Sequence, residues 1–224
     1  MRLAAIVAAA GRGNRLGAAV PKALVPVAGT PLVVHAVRAM HEAGVHVILV
    51  TAPTDYVDEI QALVPEARVM GGGVLRQDSV ALALASLPAD VEIVLVHDAA
   101  RGLAPVSVVA SVVGAIRAGA DAAIPVLPVT DTVKQVDGDG NVVRTLDRTS
   151  LRAVQTPQGF KRSVLQRAHD EATGEEVTDD AAMVEALGLV VATVPGASLA
   201  MKVTTAADLA VAESLLAGEV HHVG

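Results

Sequence analysis

The chain of 224 residues contains no cysteine and no tryptophan, and it has a single tyrosine and a single phenylalanine. Without cysteine it can form no disulfide bond, no zinc site with thiolate ligands and no thiol nucleophile, which suits a cytosolic enzyme. We therefore expect a cytoplasmic location. With so few aromatic rings, the protein also lacks the stacking platforms on which single-stranded nucleic acids bind. Any base that it recognises must be read by backbone and small polar groups.

Basic charge and long apolar runs are also scarce. The chain has 17 lysines and arginines against 24 acidic residues, a formal net charge of −7. This balance disfavours broad nucleic-acid binding, so a polyanionic ligand must be met by a local group of cations. Although 52% of the residues are hydrophobic, no apolar run approaches the roughly 18 residues that a membrane span requires. We expect a protein with a full core that binds neither nucleic acid nor membrane.

Predicted strands and helices alternate at short intervals, which is typical of βαβ units and a mostly parallel sheet. The predicted strands are Leu3–Ala8, Val45–Val50, Ala67–Met70, Glu92–Val96 and Ala122–Val126. The predicted helices are one that opens at Thr30-Pro31 with threonine as its cap and ends at Gly44, and the segments Asp55–Leu63, Gln77–Leu87 and Val106–Ala118. We therefore predict an α/β fold with a Rossmann-like, mostly parallel sheet flanked by helices, in a single domain over residues 1–224.

Residues Pro128–Leu146 depart from this alternation, within a segment at about 128–150 that we predict to form an arm. Two strand-like segments, Thr132–Val136 and Val142–Leu146, flank Asp137-Gly138-Asp139-Gly140-Asn141, which is a strong signal for a β-hairpin. A two-stranded ribbon is barely stable alone and should pack on another surface. A solvated hairpin on its own domain is the simpler interpretation. We prefer a projecting arm that contacts a second subunit, which predicts a homodimer.

The most informative segment is Ala8-Ala9-Ala10-Gly11-Arg12-Gly13-Asn14-Arg15-Leu16, followed by Pro21-Lys22. It ends an apolar strand in a glycine loop that carries cations. Gly11 and Gly13 allow a sharp turn and bring backbone N–H groups against phosphate oxygens. Arg15 can grip a phosphate bidentately, whereas Lys22 is a mobile point charge. The segment therefore predicts a binding site for a nucleoside triphosphate.

Three other interpretations of this segment are weaker. A dinucleotide-binding fingerprint needs a third glycine where Leu16 stands. A Walker loop needs a Gly-Lys-Ser/Thr triplet, which is absent here. A secretory signal would have an apolar core of only about eight residues, at the lower limit for such signals, after the single cation Arg2. We interpret the apolar run as a buried strand.

Further polar clusters follow predicted strands, where open α/β sheets bind ligands. Gly71-Gly72-Gly73 precedes a helix that carries Ser79. These residues form either a base or sugar site or a flexible turn with an ordinary helical serine. Asp98 and Arg101 follow another strand, and Asp98 suits a substrate hydroxyl, a magnesium-bound water, a helix cap or a salt bridge. We interpret its neighbour His97 as a core histidine with a hydrogen-bond partner.

Arg148, Thr156 and Lys202 are a third, dispersed group of polar residues. Lys202 follows a short apolar stretch and precedes Thr204, which we predict to cap a helix with Asp208 in its first turn. A lysine at such a junction is usually solvated, so by itself it indicates little.

In order along the chain, these pieces resemble the 2-C-methyl-D-erythritol 4-phosphate cytidylyltransferases over essentially the full length. The glycine-arginine-lysine loop by itself marks only nucleotidyltransferases in general, and the ordered set is far more specific. The matching motifs are Ala9-Ala10-Gly11-x-Gly13-x-Arg15, Pro21-Lys22, Gly72-Gly73-x-x-Arg76-x-x-Ser79-Val80, Val96-His97-Asp98-Ala99-Ala100-Arg101, Asp131-Thr132, Asp147-Arg148, Gln155-Thr156-Pro157-Gln158, Thr178-Asp179 and Lys202-Val203-Thr204. The chain departs from the common pattern at Val74, where the family often has an acidic residue, and at Ala23 and Gly102.

The resemblance implies transfer of cytidine monophosphate from CTP to the phosphate of methylerythritol phosphate, with release of pyrophosphate and with Mg²⁺ held largely by the CTP phosphates. It implies catalytic roles for Arg15, Lys22, Arg148 and Lys202. The implied CTP-binding residues are Ala9, Ala10, Gly11, Gly13, Arg15, Lys22, Gly73, Ser79 and Lys202, with Gly73 and Ser79 reading the cytosine. The implied acceptor-binding residues are Asp98, Arg101, Thr132, Arg148, Thr156 and Thr178, of which Thr132 and Arg148 would reach the neighbouring subunit's site.

Two other functions remain open from the sequence. A cytidylyltransferase for another polyol phosphate, such as ribitol 5-phosphate, would share the CTP loop and differ around Arg148, Thr156 and Thr178. A non-catalytic nucleotide-binding module would hold phosphate without stabilising the charge that moves during a reaction.

Overall fold

A mostly parallel sheet forms the centre of the structure, a computed structural model that describes residues 1–11, 20–172 and 177–220. The strands in chain order are β1 (Arg2–Ala8), β2 (Pro26–Val27), β3 (Thr30–Pro31), β4 (Val47–Ala52), β5 (Arg68–Gly71), β6 (Val91–Asp98), β7 (Ala122–Pro128), β8 (Lys134–Val136), β9 (Val142–Thr145), β10 (Arg152–Val154), β11 (Gln158–Lys161) and β12 (Val191–Pro195). The α-helices are α1 (Leu32–Glu42), α2 (Val57–Leu63), α3 (Arg76–Ala85), α4 (Val106–Arg117), α5 (Arg162–Asp170), α6 (Asp180–Ala186) and α7 (Ala206–Val220). The predicted α/β class is confirmed.

The order of strands in the main sheet creates a crevice beside β1. The order is β12-β7-β11-β6-β1-β4-β5, with β10 paired to the same edge of β7 as β11. β11 runs antiparallel to β6 and β7, whereas β1 is parallel to β4 and β6. The chain passes from β1 to β4 on one side and returns to β6 on the other. Such a reversal opens a ligand-binding crevice at the carboxyl ends of the two central strands, where Ala8 pairs with Asp98.

Helices cover both faces of this sheet, which explains why β1 is a continuous apolar run. Ala5 and Val7 of β1 pack in one hydrophobic cluster with α1, α2 and α4. Ala4 and Ile6 point to the opposite face and pack with α3, α5 and α6. All four side chains are fully buried. The apolar run Leu3–Ala8 therefore belongs to a central strand of the sheet.

Several predicted boundaries were wrong by about two residues. Helix α1 begins at Leu32 with Pro31 as its N-cap, and Thr30 does not cap it. Thr30 and Pro31 instead pair with β2 in a small antiparallel ribbon. Strand β4 covers Val47–Ala52 rather than Val45–Val50, since the chain must first leave α1 through Gly44, whose φ of +81° suits glycine.

The predicted β-hairpin is confirmed, with strands β8 and β9 forming a separate two-stranded sheet. Its side chains are exposed, including Val136 at 53%, Val142 at 61% and Val143 at 58%. These three valines therefore face solvent in the single chain. Within the described part of the chain, no helix is long and apolar enough to cross a membrane.

Candidate active site

A cavity of about 440 Å³ lies in the crevice at the carboxyl ends of β1 and β6. Five described parts of the chain enclose it: the end of β1 with the residues up to Gly11, the pair Lys22-Ala23, the turn before α3, the end of β6, and the segment before α7. The lining residues are Ala8, Ala9, Ala10, Gly11, Lys22, Ala23, Gly73, Val74, Leu75, Arg76, Ser79, Asp98, Ala99, Ala100, Lys202 and Thr204. The structure thus brings together, in one cavity, eight residues that the sequence analysis singled out: Ala9, Ala10, Gly11, Lys22, Gly73, Ser79, Asp98 and Lys202.

Among the described residues, the other predicted site residues do not line this cavity. Gly13 and Arg15 lie outside the described residues. Thr132 and Arg148 are exposed at the base of the hairpin, where the Arg148 guanidinium donates a hydrogen bond to the Thr130 carbonyl.

Three more predicted acceptor-site residues lie near the cavity rather than on its wall. The Arg101 guanidinium donates to the backbone carbonyls of Ala200, at 2.8 Å, and Val154, at 3.2 Å. Thr156 is buried behind Asp98, and Thr178 is exposed just before α6. Arg101 in this conformation therefore ties β10 to the segment that leads to Lys202.

The turn between β5 and α3 is shaped by close contacts that leave no room for a side chain at Gly72 or Gly73. A Cβ atom on Gly73 would lie 2.4 Å from Asp78 Cβ, and one on Gly72 would lie 2.7 Å from Ala10 Cβ. The backbone N–H of Gly73 donates to Ser79 Oγ at 3.0 Å, and the Ser79 hydroxyl donates to the Leu75 carbonyl at 3.1 Å. The Ser79 hydroxyl therefore bridges the two ends of the turn, and Val74, which is 97% exposed, projects from its rim.

Asp98 is held between two cations. Its Oδ1 accepts from Arg76 Nε at 3.1 Å, and its Oδ2 lies 2.8 Å from Lys202 Nζ. Burial favours the neutral acid, but the charges of Arg76 and Lys202 outweigh it and hold the pKa of Asp98 well below its usual range. Asp98 is therefore an anion in the cavity wall, and the salt-bridge interpretation of this residue is confirmed.

Arg76 also binds Asp180, a contact that the sequence analysis missed. Arg76 Nη1 lies 2.6 Å from Asp180 Oδ2, and Asp180 is fully buried at the start of α6. His169 Nε2 of α5 lies 3.3 Å from the other oxygen, Asp180 Oδ1. Burial disfavours the charged form of Arg76, yet Asp180 and Asp98 outweigh this and raise its pKa further. Arg76 belongs to the Gly72-Gly73-x-x-Arg76-x-x-Ser79-Val80 motif, but only the fold brings Asp180 next to it.

His97 and Thr156 hold the end of β6 in place. Thr156 Oγ1 accepts from the backbone N–H of Asp98 at 3.0 Å and lies 2.8 Å from His97 Nδ1. His97 is fully buried, and burial lowers its pKa to about 4, so the ring is neutral near pH 7. His97 is thus a core residue with a hydrogen-bond partner at Nδ1, as predicted, but its buried Nε2 has no hydrogen-bond partner among the described residues.

Lys202 is positioned by the chain around it. The backbone N–H of Val203 donates to the Ala100 carbonyl at 2.8 Å, which ties this segment to the end of β6. The Asp208 carboxylate accepts from the backbone N–H of Thr204 and from that of Thr205, both at 2.8 Å. Because Thr205 Oγ1 accepts from Asp208 N, Thr205 rather than Thr204 is the reciprocal partner of Asp208 at the start of α7. The helix itself was predicted correctly.

A cavity at the carboxyl ends of parallel strands that is lined by Gly11, Gly73, Lys22 and Lys202 is typical of nucleotide-binding α/β enzymes. The fold and this site define a protein of the nucleotidyltransferase class. The sequence profile described as IspD, 2-C-methyl-D-erythritol 4-phosphate cytidylyltransferase, matches residues 3–218. The chain therefore belongs to the 2-C-methyl-D-erythritol 4-phosphate cytidylyltransferase family.

Individual relatives agree with this assignment. The chain is 53% identical to the 2-C-methyl-D-erythritol 4-phosphate cytidylyltransferase of Saccharopolyspora erythraea, with 97% of this chain and 100% of the relative covered. It is 51% identical to the enzyme of the same name from Streptomyces coelicolor, with 96% and 85% covered. Among solved structures, the Thermus thermophilus 2-C-methyl-D-erythritol 4-phosphate cytidylyltransferase aligns with a TM-score of 0.79 and 36% identity over 96% of this chain and 98% of that one. The 4-diphosphocytidyl-2C-methyl-D-erythritol synthase from Anaerococcus prevotii aligns with a TM-score of 0.85 and 26% identity over 96% and 98%.

Proposed function

We propose that this protein transfers cytidine monophosphate from CTP to 2-C-methyl-D-erythritol 4-phosphate and releases pyrophosphate. Family membership over residues 3–218 supports the reaction. The observation that carries the proposal is the single cavity that Gly11, Lys22, Gly73, Asp98 and Lys202 share. It offers glycine backbone and ammonium groups to phosphates beside the turn at Gly73 and Ser79, which we assign to the base.

The proposed chemistry is an in-line displacement at the α-phosphorus. One phosphate oxygen of the acceptor attacks, the bond to pyrophosphate breaks, and negative charge grows on the transferring group and the leaving group. Catalysis is then positioning and electrostatic stabilisation, with no covalent enzyme intermediate. We assign the stabilisation of this charge to Arg15, Lys22 and Lys202, and the contact with cytosine to Gly73 and Ser79. Ala9, Ala10, Gly11 and Gly13 would provide the backbone around the triphosphate.

The donor set of the cavity fits a magnesium ion that arrives with the nucleotide. Among the described residues, no group of three or more histidine and carboxylate side chains could hold a metal ion. Asp98, the carboxylate in the cavity wall, already pairs with Arg76 and Lys202. Mg²⁺ commonly binds through substrate phosphates rather than in an all-protein cage, so we propose that the CTP phosphates hold it. When bound, it would neutralise part of the triphosphate charge.

We propose that the acceptor binds between the cavity and a partner's hairpin, in a homodimer. Thr132 and Arg148 are exposed and lie outside the cavity of their own chain, while the hairpin carries exposed valines that a partner would cover. Asp98, Arg101, Thr156 and Thr178 would complete the acceptor site. We further propose that residues 1–224 act as one domain, with residues 128–150 as its dimerisation arm, and that the enzyme works in the cytoplasm.

Release of pyrophosphate tests donor, acceptor and reaction together. The assay combines each of the four nucleoside triphosphates with methylerythritol phosphate, and CTP with ribitol 5-phosphate. We expect pyrophosphate only from CTP with methylerythritol phosphate. If turnover with ribitol 5-phosphate equals or exceeds turnover with methylerythritol phosphate, the proposed acceptor is wrong. If the protein binds CTP but releases no pyrophosphate with either acceptor, it is a non-catalytic nucleotide-binding module.

Mixed dimers test the shared site. Arg148→Ala and Lys22→Ala subunits are each inactive in pure form if both groups are needed. In a heterodimer, the site with an intact Lys22 faces the intact arm of the partner. Random mixing then restores about a quarter of wild-type activity, since about half of the dimers are mixed and each has one complete site. No recovery in the mixture would mean that each site is built from one chain.

A further inference from the structure

Arg76 is the central link in a chain of charges that leads from the cavity into the core. Its Nε binds Asp98 on the cavity wall, and its Nη1 binds Asp180 behind it. Asp180 has no exposed surface, and His169 Nε2 lies 3.3 Å from its second oxygen. Two different nitrogens of one rigid guanidinium are thus fixed by carboxylates from β6 and α6, which leaves the Arg76 side chain little freedom to move.

Lys202, the second cation on Asp98, is held much less firmly. Its side chain is 44% exposed, compared with 28% for Arg76. Its ammonium group lies 2.8 Å from Asp98 Oδ2 and reaches into the cavity. A lysine is a point charge on a flexible stem and can turn to a new anion without losing a planar, two-point contact. The two partners of Asp98 are therefore unequal, since one is fixed and the other can leave.

We propose that Arg76, held by Asp180, is a positioning residue that keeps Asp98 paired while Lys202 moves from Asp98 to the phosphates of the bound nucleotide. This rests on the proposed function, which gives Lys202 its phosphate ligand. A buried carboxylate that loses its counter-charge is strongly destabilised. With Arg76 in place, Asp98 keeps one counter-charge after Lys202 leaves. Without Arg76, Lys202 would be the counter-charge that Asp98 retains. If Lys202 then moved to the phosphates, the Asp98 carboxylate would be left without its paired cation.

A double-mutant cycle between Arg76 and Lys202 tests this exchange. The Arg76 variant is Arg76→Met with Asp180→Asn, because removing the arginine by itself would leave Asp180 buried and unpaired. Turnover and the Kd of CTP are measured for the wild type, Lys202→Ala, the Arg76→Met/Asp180→Asn protein and the combination of all three. We expect Lys202→Ala to lower wild-type turnover on the order of 10²-fold, the scale of one electrostatic stabiliser. In the background without Arg76 we expect a further loss below about threefold, because Lys202 is already bound to Asp98 and residues in one network are not additive.

Two further variants separate charge from packing. Arg76→Lys retains a cation beside Asp98, so it should recover most of the turnover and restore the full cost of Lys202→Ala. Methionine and lysine both keep an unbranched apolar stem at position 76, so a role in packing would give similar turnover in Arg76→Lys and in Arg76→Met/Asp180→Asn, whereas a role of the charge gives recovery only with lysine. Arg167→Met is the control, because this arginine of α5 is more than half exposed and pairs with Glu171 outside the cavity. It should leave turnover and the effect of Lys202→Ala unchanged.

An equal cost of Lys202→Ala in both backgrounds would overturn the proposal, as would wild-type turnover in the Arg76→Met/Asp180→Asn protein. If that protein does not fold, Arg76→Gln/Asp180→Asn replaces it with the same expectations, because the shorter amide is neutral and still polar. The Kd of CTP keeps the test independent of catalysis. A wild-type protein that binds CTP but makes no pyrophosphate would end the proposed function, whereas the binding cycle would still support or refute the exchange.

Discussion

Gly73 offers a direct test of the cavity, because the structure sets how far its turn must move if a methyl group is added. In Gly73→Ala the new Cβ would lie 2.4 Å from Asp78 Cβ and 3.3 Å from the backbone nitrogen of Ser79. Both atoms belong to the first turn of α3, which is anchored by the capping contact of Asp78 with Leu75 N at 3.0 Å. The Gly73 backbone must therefore retreat by at least about 1 Å to reach ordinary van der Waals contact.

That displacement moves a wall of the proposed nucleotide site. A misplacement of about 1 Å in a positioning group can cost on the order of 10²-fold in rate, or about 2.7 kcal/mol in transition-state stabilisation. We expect kcat/KM for CTP to fall by this factor in Gly73→Ala. The measurement is pyrophosphate release at varied CTP with saturating acceptor, accompanied by thermal unfolding to show that the variant is folded.

Gly71 is the matched control, two residues earlier in the same segment. A Cβ there would lie 3.6 Å from Thr54 Oγ1, an ordinary contact. Gly71→Ala should therefore keep kcat/KM within about twofold of wild type, within the usual range of surface substitutions. Equal kcat/KM values in Gly73→Ala and Gly71→Ala would refute the placement of CTP against this turn.

Two other predictions concern charge. Lys22→Ala should lower turnover on the order of 10²- to 10³-fold with little effect on folding. The control Lys161→Ala, which removes a half-exposed partner of Asp121, should leave turnover unchanged. Unchanged pyrophosphate release in Lys22→Ala would exclude the assigned role of Lys22. Burial lowers the pKa of His97 to about 4 in the folded protein, whereas its value in the unfolded chain is about 6.5. Because the unfolded chain therefore takes up a proton first as the pH falls, the free energy of unfolding decreases between about pH 6.5 and 4. Denaturant unfolding should show a loss of about 2 kcal/mol from pH 7 to pH 5, and His97→Gln should remove most of this slope; an unchanged slope would assign it to other groups.

The sequence predicted the elements whose pattern is local. The apolar run Leu3–Ala8 and the alternation up to β7 identified the parallel sheet, because a strand buried on both faces must be apolar throughout. Turn signals likewise located the hairpin at Asp137–Asn141. Ala9, Gly11, Gly73 and Asp98 could be placed at one edge of the sheet because the carboxyl ends of parallel strands meet there.

The elements that depend on distant partners were not predicted. β11 inserts antiparallel between β6 and β7, and its residues Gln158–Lys161 show neither helical nor alternating spacing. Arg76 and Asp180 are separated by 104 positions, so no local pattern indicates that they touch. The cap of α7 was predicted at Thr204 and lies at Thr205, a difference of one residue. The geometry of the helix start decides between these two neighbouring threonines, and composition does not.

The exposed rim position of Val74 has a practical consequence for spectroscopy. The chain has no tryptophan and one tyrosine, so its own fluorescence is weak and its absorbance near 280 nm is low. Val74 is 97% exposed while still bordering the cavity, which gives room for a larger ring. In Val74→Trp the introduced indole would be the sole such fluorophore in the protein, and a change in its emission on addition of nucleotide would follow binding in real time without any label.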